Sequence, residues 1–557
     1  MVEFIVRLFQ DNPQLAVFLA IAIGYFVGKI KFFGFNLGST AGVLLAALLI
    51  GQMDITVYPL LKAVGFALFI FTIGYKVGPQ FFGALKKEGV HYIWLSLVVA
   101  ATALATAVIL AKLFGFDRGT AAGLLGGAMT QSSIIGTADG AIKNLAISGA
   151  EKAVLESNVA IAYAITYIFG VAGLIVFFKL IPKLLRIDLK KEAADLVAKM
   201  SDGPSEETSS PELFSWQKDL DLRVFELKSA GKKVSGIEKM FSKKIVIEMI
   251  KRADKNIEPQ PDFLLQAGDK IALLTDEHQA IEAAKIIGPE VDDGTCCAIA
   301  GESVKVCLLN KEIVGKPLGK INQLYGQRCF LKRLTRAGHE LPLTKGTVVN
   351  KCDVLEISGS KKDVEAFVNH LGYAERATIM TDLIMVGLGC LIGTLAGLLA
   401  VNIAGIPLTL GIGGGVLLSG LIFGWLRSVH PTFGQIPGGA QWIFTDLGLN
   451  LFIACVGLTA GPRAWQALQT SGGPIFIAGV ILSLMPMIVG LIFGKYVLKL
   501  NPVLLLGALT GAGTVTPALN ALKESADSSA PALAYAVPYA FGNVILTIWG
   551  TIIIHLV

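Results

Sequence analysis

Two short stretches of the chain combine glycines with hydroxyl side chains in nearly the same order. The first runs from Gly127 to Ala141 and the second, much later in the chain, from Gly507 to Ala521. Gly, Ser and Thr are poor helix formers, yet both stretches are surrounded by long apolar runs. An interrupted helix exposes backbone N–H groups at its new N-terminus, where about half a positive charge favours an anion. The pattern therefore predicts two helix breaks, called tips below, that bind a carboxylate together.

The candidate binding residues lie in the two tips and in polar or cationic positions nearby. In the first tip they are Thr130, Gln131, Ser132, Ser133 and Thr137, and in the second Thr510, Gly511, Ala512, Gly513, Thr514 and Thr516. Outside the tips they are Asn543 and two cations beside Gly-Pro pairs, Lys76 and Arg463. A guanidinium or ammonium would balance a carboxylate. In the alternative interpretation, the small residues only allow close helix packing and the cations only reach the membrane surface.

Asp139 follows the first tip inside an apolar segment. An acidic residue at membrane depth is a functional candidate by default, so Asp139 is a candidate site for a proton, a cation or a substrate ammonium group. The alternative is that its carboxylate caps the N-terminus of a helix.

Composition places the chain among polytopic helical membrane proteins. Of its 557 residues, 53% are hydrophobic and 16% are charged, against about 25% charged in soluble domains. The net charge of +6 does not indicate a nucleic-acid partner, because Lys and Arg cluster beside the apolar runs, as cytoplasmic membrane loops require. The seven cysteines have no metal-ligand spacing and predict free thiols in a reducing compartment.

The hydropathy pattern divides the chain into two membrane halves around a polar middle. We predict an N-terminal membrane repeat at 1–186, a linker at 187–222, two small α+β subdomains at 223–290 and 296–373, and a C-terminal membrane repeat at 379–557. The two subdomains match each other at a constant offset, which pairs Arg252 with Arg336 and Asp269 with Asp353.

The membrane halves repeat as well, and their charges predict opposite orientations. Besides the tips, Gly78-Pro79-Gln80 matches Gly461-Pro462-Arg463, and 162–170 matches 534–542. We predict five spans in each half, those of the second half including 441–461 and 473–495, with the tips in two re-entrant hairpins. Placing basic loops on the cytoplasmic side then puts both termini outside the cell membrane and the polar middle in the cytoplasm. Because five is an odd number, the second half starts on the opposite side of the membrane from the first. The two halves then form an inverted repeat, the arrangement of many secondary transporters.

The chain contains no motif for catalysis or for a cofactor. Its six histidines are scattered, and the phosphate-binding Gly-x-x-x-x-Gly-Lys-Ser/Thr pattern is absent. We therefore expect neither an enzyme nor an ATP-driven pump, with no cofactor and no metal site.

The whole plan resembles the aspartate:alanine exchanger family, on the evidence of Gly78-Pro79-Gln80, Gly461-Pro462-Arg463 and the tips at 126–137 and 507–517. The subdomains resemble TrkA-C (RCK_C-like) domains, each ending in an Asp, a β-run and a small helix. The resemblance implies a secondary active antiporter that exchanges aspartate against alanine, or a related dicarboxylate and amino acid, by alternating access. By analogy it also implies an elevator-like movement, a homodimer and a cytoplasmic ligand for the TrkA-C-like domains.

Three other functions stay open at the level of sequence. A cation/proton antiporter would use Asp139. A ligand-gated ion-conducting protein would be regulated by the TrkA-C-like domains, although the Thr-Val-Gly-Tyr-Gly filter of potassium channels is absent. A membrane sensor without transport would use the polar middle as its active part.

Overall fold

The structure divides into two compact units. The computed structural model describes residues 2–32, 35–36, 38–84, 89–201, 221–241, 246–253, 255–257, 259–275, 277–291, 302–325, 329–336, 339–359, 361–375, 380–403, 406–409, 411–430 and 433–557. The membrane unit comprises Met1–Ala194 and Thr378–Val557, and the central unit comprises Asp195–Ala377. Of the linker expected at 187–222, residues 202–220 lie outside the described part of the chain.

The described residues of the first half of the membrane unit form helices and a short hairpin of strands β1 (Lys31–Phe32) and β2 (Phe35–Asn36). Its helices are α1 (Val2–Asp11), α2 (Pro13–Gly28), α3 (Ser39–Ile50), α4 (Pro59–Ala84), α5 (Val90–Phe114), α6 (Arg118–Ala128), α7 (Ser133–Lys143), α8 (Gly149–Ile168), α9 (Leu174–Leu184) and α10 (Leu189–Ser201). A π-helical turn, Phe169–Gly173, joins α8 to α9.

Side-chain caps fix the starts of α6, which leads into the first tip, and of α8, which packs against α6. Asp117 accepts a hydrogen bond from the Thr120 amide at 2.9 Å and begins α6. Ser148 and Glu151 form a reciprocal capping box at the start of α8. Each cap satisfies backbone donors that a helix N-terminus otherwise leaves unpaired.

The central unit contains two antiparallel sheets built on the same plan. The first has the strand order β3 (Asp221–Glu226), β6 (Lys270–Thr275), β4 (Val246–Arg252), β5 (Lys255–Ile257). The second has the order β11 (Gly372–Glu375), β7 (Glu302–Leu308), β10 (Val354–Gly359), β8 (Cys329–Arg336), β9 (His339–Glu340). The helices are α11 (Val234–Glu238), α12 (Glu277–Ile286), α13 (Leu318–Tyr325) and α14 (Lys361–Leu371). Without β11, the two orders correspond strand for strand.

An arginine–aspartate ion pair with a buried carboxylate recurs at the same place in both sheets. Arg252 donates from Nε and Nη2 to the two oxygens of Asp269, each at 2.8 Å. Arg336 makes the same two bonds to Asp353 at 2.8 and 2.7 Å. Burial alone would raise the pKa of Asp269, but the Arg252 guanidinium and the Gln266 amide hold that pKa below its usual value. The Arg252–Asp269 pair therefore stabilises the folded central unit at neutral pH.

The second half of the membrane unit has an element order similar to that of the first. A hairpin of β12 (Ala400–Ile403) and β13 (Ile406–Thr409) follows its first helix, as the hairpin of the first half follows α2. The helices are α15 (Leu383–Leu398), α16 (Gly411–Val429), α17 (Gly438–Ile492), α18 (Pro502–Ala512), α19 (Thr516–Ala526) and α20 (Ala536–Leu556), with a 3-10 turn at Ala530–Ala534.

The long helix α17 differs from the expectation of two separate spans at 441–461 and 473–495. It continues through 55 residues, with Pro462, Pro474 and Pro486 inside it. At 1.5 Å per residue, such a helix would extend about 80 Å if straight, far beyond a ~30 Å hydrocarbon core. Proline removes one hydrogen bond and bends a helix, but the turns on either side of it can persist.

The chain is a polytopic helical membrane protein. Within its described residues, six helices are long and apolar enough to cross a membrane. A seventh span results if α1 and α2, bent by 103° at Asn12, are taken together. Large apolar side chains face outward on these elements, for example Leu391, Ile392 and Leu395 on α15, which are at least half exposed. Such a surface is favourable in lipid and would be costly in water.

Candidate functional site

Each half of the membrane unit contains one pair of short buried helices separated by a tight break. In the first half the break lies between α6 and α7, and in the second between α18 and α19. Each break contains a threonine in the left-handed backbone conformation, Thr130 with φ +53° and Thr514 with φ +56°. This conformation is uncommon for a β-branched residue, so the surrounding structure must impose it.

The structure aligns the two tips one helical turn away from the match suggested by the sequence. It pairs Thr130 with Thr514 through their shared left-handed conformation, whereas the sequence match paired Thr130 with Thr510. Gly127-Ala-Met-Thr130 resembles both Gly507-Ala-Leu-Thr510 and Gly511-Ala-Gly-Thr514. Registers one turn apart preserve the same helix face, so composition alone does not distinguish them. The backbone does, because only Thr514 lies in the break.

The two tips contact each other directly. The Thr514 hydroxyl lies 3.1 Å from the Met129 carbonyl oxygen and 3.1 Å from Oε1 of Gln131, two acceptors in the first tip. The Thr130 hydroxyl in turn lies 3.5 Å from the Thr514 carbonyl oxygen. Two segments from opposite ends of the chain therefore form one polar site.

Helix N-termini converge on this contact. Helices α7 and α19 both begin at the tips, at Ser133 and Thr516. Among the described hydrogen bonds, none uses the backbone N–H of Ser132, Ser133 or Thr516 as a donor. Unpaired N–H groups at the N-termini of two helices provide a positive electrostatic potential and donors for an anion.

Gln131 connects the first tip to the last helix, α20. Its Nε2 atom donates to Ser133 Oγ at 2.7 Å and to Asn543 Oδ1 at 3.3 Å. Ser133 Oγ lies 2.6 Å from Thr547 Oγ1, and the Thr137 hydroxyl donates to the Thr547 carbonyl at 2.9 Å. All five side chains are buried. The predicted residues Gln131, Ser133, Thr137 and Asn543 thus belong to one network.

Thr547 is a member of this network that the sequence reasoning missed. It is fully buried and bonds to three residues of the first tip. It lies one helical turn after Asn543, so both side chains lie on the same face of α20. The four-residue spacing from the predicted residue Asn543 was the sequence feature that could have identified Thr547.

Two tyrosines, which lie in the matching segments 162–170 and 534–542, also contact the tips. The Tyr163 hydroxyl lies 2.6 Å from Ser132 Oγ, and the Tyr535 hydroxyl lies 2.8 Å from Thr516 Oγ1. Both rings are buried. Ser132 and Thr516 each lie two positions after the left-handed threonine of their tip, so these contacts are equivalent in the two halves.

The remaining candidates of the second tip lie at the end of α18 and make packing contacts. The Thr510 hydroxyl donates to the Gly507 carbonyl of its own helix at 2.7 Å. Ala512 is fully buried. A Cβ atom on Gly511 would lie 2.4 Å from the Tyr535 carbonyl oxygen, and one on Gly513 would lie 2.6 Å from Met487 Cε. The two glycines allow neighbouring elements to approach the tip closely.

The two predicted cations, Lys76 and Arg463, lie away from the tips. Lys76 donates to Thr445 Oγ1 at 3.1 Å and lies close enough to Asp446 to interact electrostatically. Arg463 is exposed. Neither has a described contact with the tips.

Asp139 forms an ion pair with Lys62 of α4. The Lys62 ammonium also lies 3.5 Å from Glu156 Oε2 on α8. The sequence reasoning considered neither Lys62 nor Glu156, although a lysine within an apolar run was a visible signal.

The arrangement can bind a small carboxylate between the tips. It offers unpaired N–H groups, hydroxyls and the amide of Gln131 within a buried environment, where each polar contact is stronger than in water. In the described part of the chain, no group of three His, Cys, Asp or Glu side chains has the geometry of a metal site.

Comparison with known proteins is consistent with this architecture. The Asp-Al_Ex family, described as a predicted permease membrane region, matches residues 16–183 and 385–555. A protein from Bradyrhizobium diazoefficiens, named an uncharacterized transporter, is 39% identical over 552 residues, 97% of each chain. Similarly named proteins from Zymomonas mobilis and Bordetella parapertussis are 35% and 37% identical, over at least 98% of each chain. No solved structure matches. The chain is therefore a membrane transporter that belongs to the Asp-Al_Ex permease family.

Proposed function

We propose that the protein is a secondary active antiporter that exchanges small carboxylates and amino acids by alternating access. The observation that carries the proposal is the meeting of the two tips, in which the N-termini of α7 and α19 converge beside Thr130 and Thr514. A matched pair of broken helices is the usual sequence and structural pointer to a transporter's binding site. A carboxylate is the group that this electrostatic environment favours.

The polar groups of the site suit an amino acid or a dicarboxylate. The N–H groups of Ser132, Ser133 and Thr516 would bind a carboxylate that both exchanged substrates share. The amide oxygens of Gln131 and Asn543 are acceptors that an α-ammonium group requires. These features support the exchange of aspartate against alanine, or of a related dicarboxylate against an amino acid, with the sequence resemblance indicating the pair.

Helix packing supports an elevator-like movement. Helices α6, α7 and α8 pack against one another, and α6, α7 and α18 pack on α20. Helix α4 packs extensively on α16 and α17, and α3 packs on α17. In our proposal the first group carries the tips across the membrane against the second, which stays in place. In the same proposal the two halves form an inverted repeat of five spans each, with α17 counted as two of the five in the second half, and the tips enter from opposite faces.

The rest of the proposal concerns the surroundings of the transport unit. The chain works in the cell membrane as a homodimer, with both termini outside and the central unit in the cytoplasm. The matched strand orders of the central unit support a pair of TrkA-C-like domains that bind a cytoplasmic ligand. Ligand binding there would shift the balance between the transport states, provided that the ligand prefers one of them.

Counterflow in proteoliposomes tests the exchange. Vesicles containing the full chain are loaded with alanine and offered labelled aspartate, or labelled succinate in parallel. The proposal predicts uptake that depends on internal alanine and is lost in empty vesicles. Uptake of equal rate into empty vesicles, driven only by a cation gradient, would contradict exchange and favour an ion-coupled transporter.

A further inference from the structure

A compact charged cluster lies in the membrane unit apart from the tips. It consists of Lys62 on α4, Asp139 on α7 and Glu156 on α8, and it is called the Lys62 cluster below. Lys62 contacts Asp139 directly and lies 3.5 Å from Glu156. The side chains of Lys62, Asp139 and Glu156 are 15%, 4% and 20% exposed, respectively.

The charges of the Lys62 cluster do not balance. Two carboxylates face one ammonium group, which leaves one negative charge in excess. Of the other charged groups nearby, Lys143 at the end of α7 interacts electrostatically with Asp139 but is exposed to solvent. From α17, the ring of Phe452 lies 6.0 Å from the Lys62 ammonium, and the Cys455 thiol is also near. No second buried cation faces the cluster among the described residues.

Asp139 also lacks hydrogen bonds that would stabilise a full negative charge. Its two carboxylate oxygens are inaccessible to solvent and, within the described structure, accept no hydrogen bond besides the ion pair with Lys62. A buried carboxylate normally accepts several donors, because desolvation without compensation costs several kcal/mol. The free oxygen atom and the excess charge both point to a missing positive partner.

We propose that the Lys62 cluster is a proton-binding site, in which Asp139 binds one proton beside the Lys62 ammonium and the Glu156 carboxylate. A proton is favoured over a metal cation because the ammonium group already occupies the centre and would repel a second cation. A proton on Asp139 removes the excess negative charge, because it leaves one carboxylate for one ammonium group at a buried position where an uncompensated charge is costly.

The Lys62 cluster is separate from the tips but shares a helix with the first of them. Asp139 lies just after Thr137, which bonds to Thr547 in the tip network. Lys62 lies on α4, in the group of helices that does not carry the tips. The proton therefore neutralises the cluster at a contact between the two groups, and its binding does not depend on which solute the tips bind.

Infrared difference spectroscopy on the full chain in lipid vesicles tests the proposal without any substrate. A protonated carboxylic acid has a carbonyl stretch that a carboxylate lacks. Raising the pH from about 5 to about 9 should remove one such band from the wild-type protein. Asp139→Asn and Glu156→Gln each leave one carboxylate for one ammonium, and we expect that titrating band to disappear in both.

Two further variants complete the test: Lys62→Met shows the direction in which the carbonyl band shifts with pH, and Glu524→Gln is the control. Lys62→Met removes the cation from beside two carboxylates, so the band should persist to a pH higher by about one unit or more. Glu524→Gln changes a carboxylate that is 80% exposed and should leave the band unchanged. An unchanged band in both Asp139→Asn and Glu156→Gln would overturn the proposal, as would a downward shift in Lys62→Met. If one carboxylate variant does not fold, the other and Lys62→Met decide.

Discussion

Replacing Thr514 by valine tests the contact between the tips most directly. Valine keeps the β-branched shape but removes the hydroxyl group that lies 3.1 Å from both Met129 O and Gln131 Oε1. The matched control is Thr510→Val. The Thr510 hydroxyl bonds only within its own helix, to the Gly507 carbonyl at 2.7 Å. The two threonines are one helical turn apart, so the pair also tests which register of the second tip is functional.

The expected magnitude follows from the hydrogen bonds. A hydroxyl group has one proton, so Thr514 donates to one of its two acceptors at a time. Removing that bond costs about 0.5–1.5 kcal/mol, and leaving the buried Gln131 Oε1 without a donor raises the cost to about 1–3 kcal/mol. If joined tips are the form that binds substrate, the apparent affinity falls by up to about 5- to 150-fold. For Thr510→Val we expect a change within about threefold, because its bond only supplements a complete helix turn.

The assay is alanine-dependent uptake of labelled aspartate into proteoliposomes over a range of external concentrations. The melting temperature of each variant in detergent identifies any general loss of folding. The reasoning would be refuted if Thr510→Val reduced uptake as much as Thr514→Val while both variants melted like the wild type. That result would return the site to the sequence match that pairs Thr130 with Thr510.

Three other perturbations have clear expected outcomes. Gly511→Ala should lower the melting temperature by several degrees, because its Cβ would lie 2.4 Å from a backbone carbonyl oxygen, whereas Gly140→Ala, with open space around it, should not. Arg252 holds the pKa of Asp269 below its usual value, so the stability that this carboxylate contributes is present above about pH 4 and is lost at lower pH. Scanning calorimetry should therefore show the difference between wild type and Asp269→Asn shrinking as the pH falls from about 6 to about 3; a difference that grows would contradict the ion-pair account. Lys76→Met should change uptake by less than about threefold, because the ammonium bonds to Thr445 and not to the tips; a complete loss would restore Lys76 as a substrate ligand.

Local composition made much of the architecture predictable. Long apolar runs without charge predicted a polytopic helical protein, and the structure and the family confirm it. The internal match within the central unit paired Arg252 with Arg336 and Asp269 with Asp353. The structure shows that these residues form equivalent ion pairs. Such features depend on residues close in sequence or on a periodic pattern, which a single chain displays directly.

Other features depend on contacts between distant segments. The sequence treated Asp139 as an isolated acid, because Lys62 lies much earlier in the chain on another helix and nothing local connects them. It did not include Thr547, and it divided α17 into two spans between 461 and 473, where the structure has one continuous helix.

The tips show which features the amino-acid sequence determines and which only the tertiary structure determines. The amino-acid sequence by itself determined that two Gly- and Thr-rich segments would interrupt buried helices, because these residues disfavour helix and supply N–H and hydroxyl donors. Only the tertiary structure decided that Thr514, and not Thr510, contacts the first tip. Residues one turn apart share a helix face, so both threonines fit the pattern, and only packing against the opposite half brings one of them into the break.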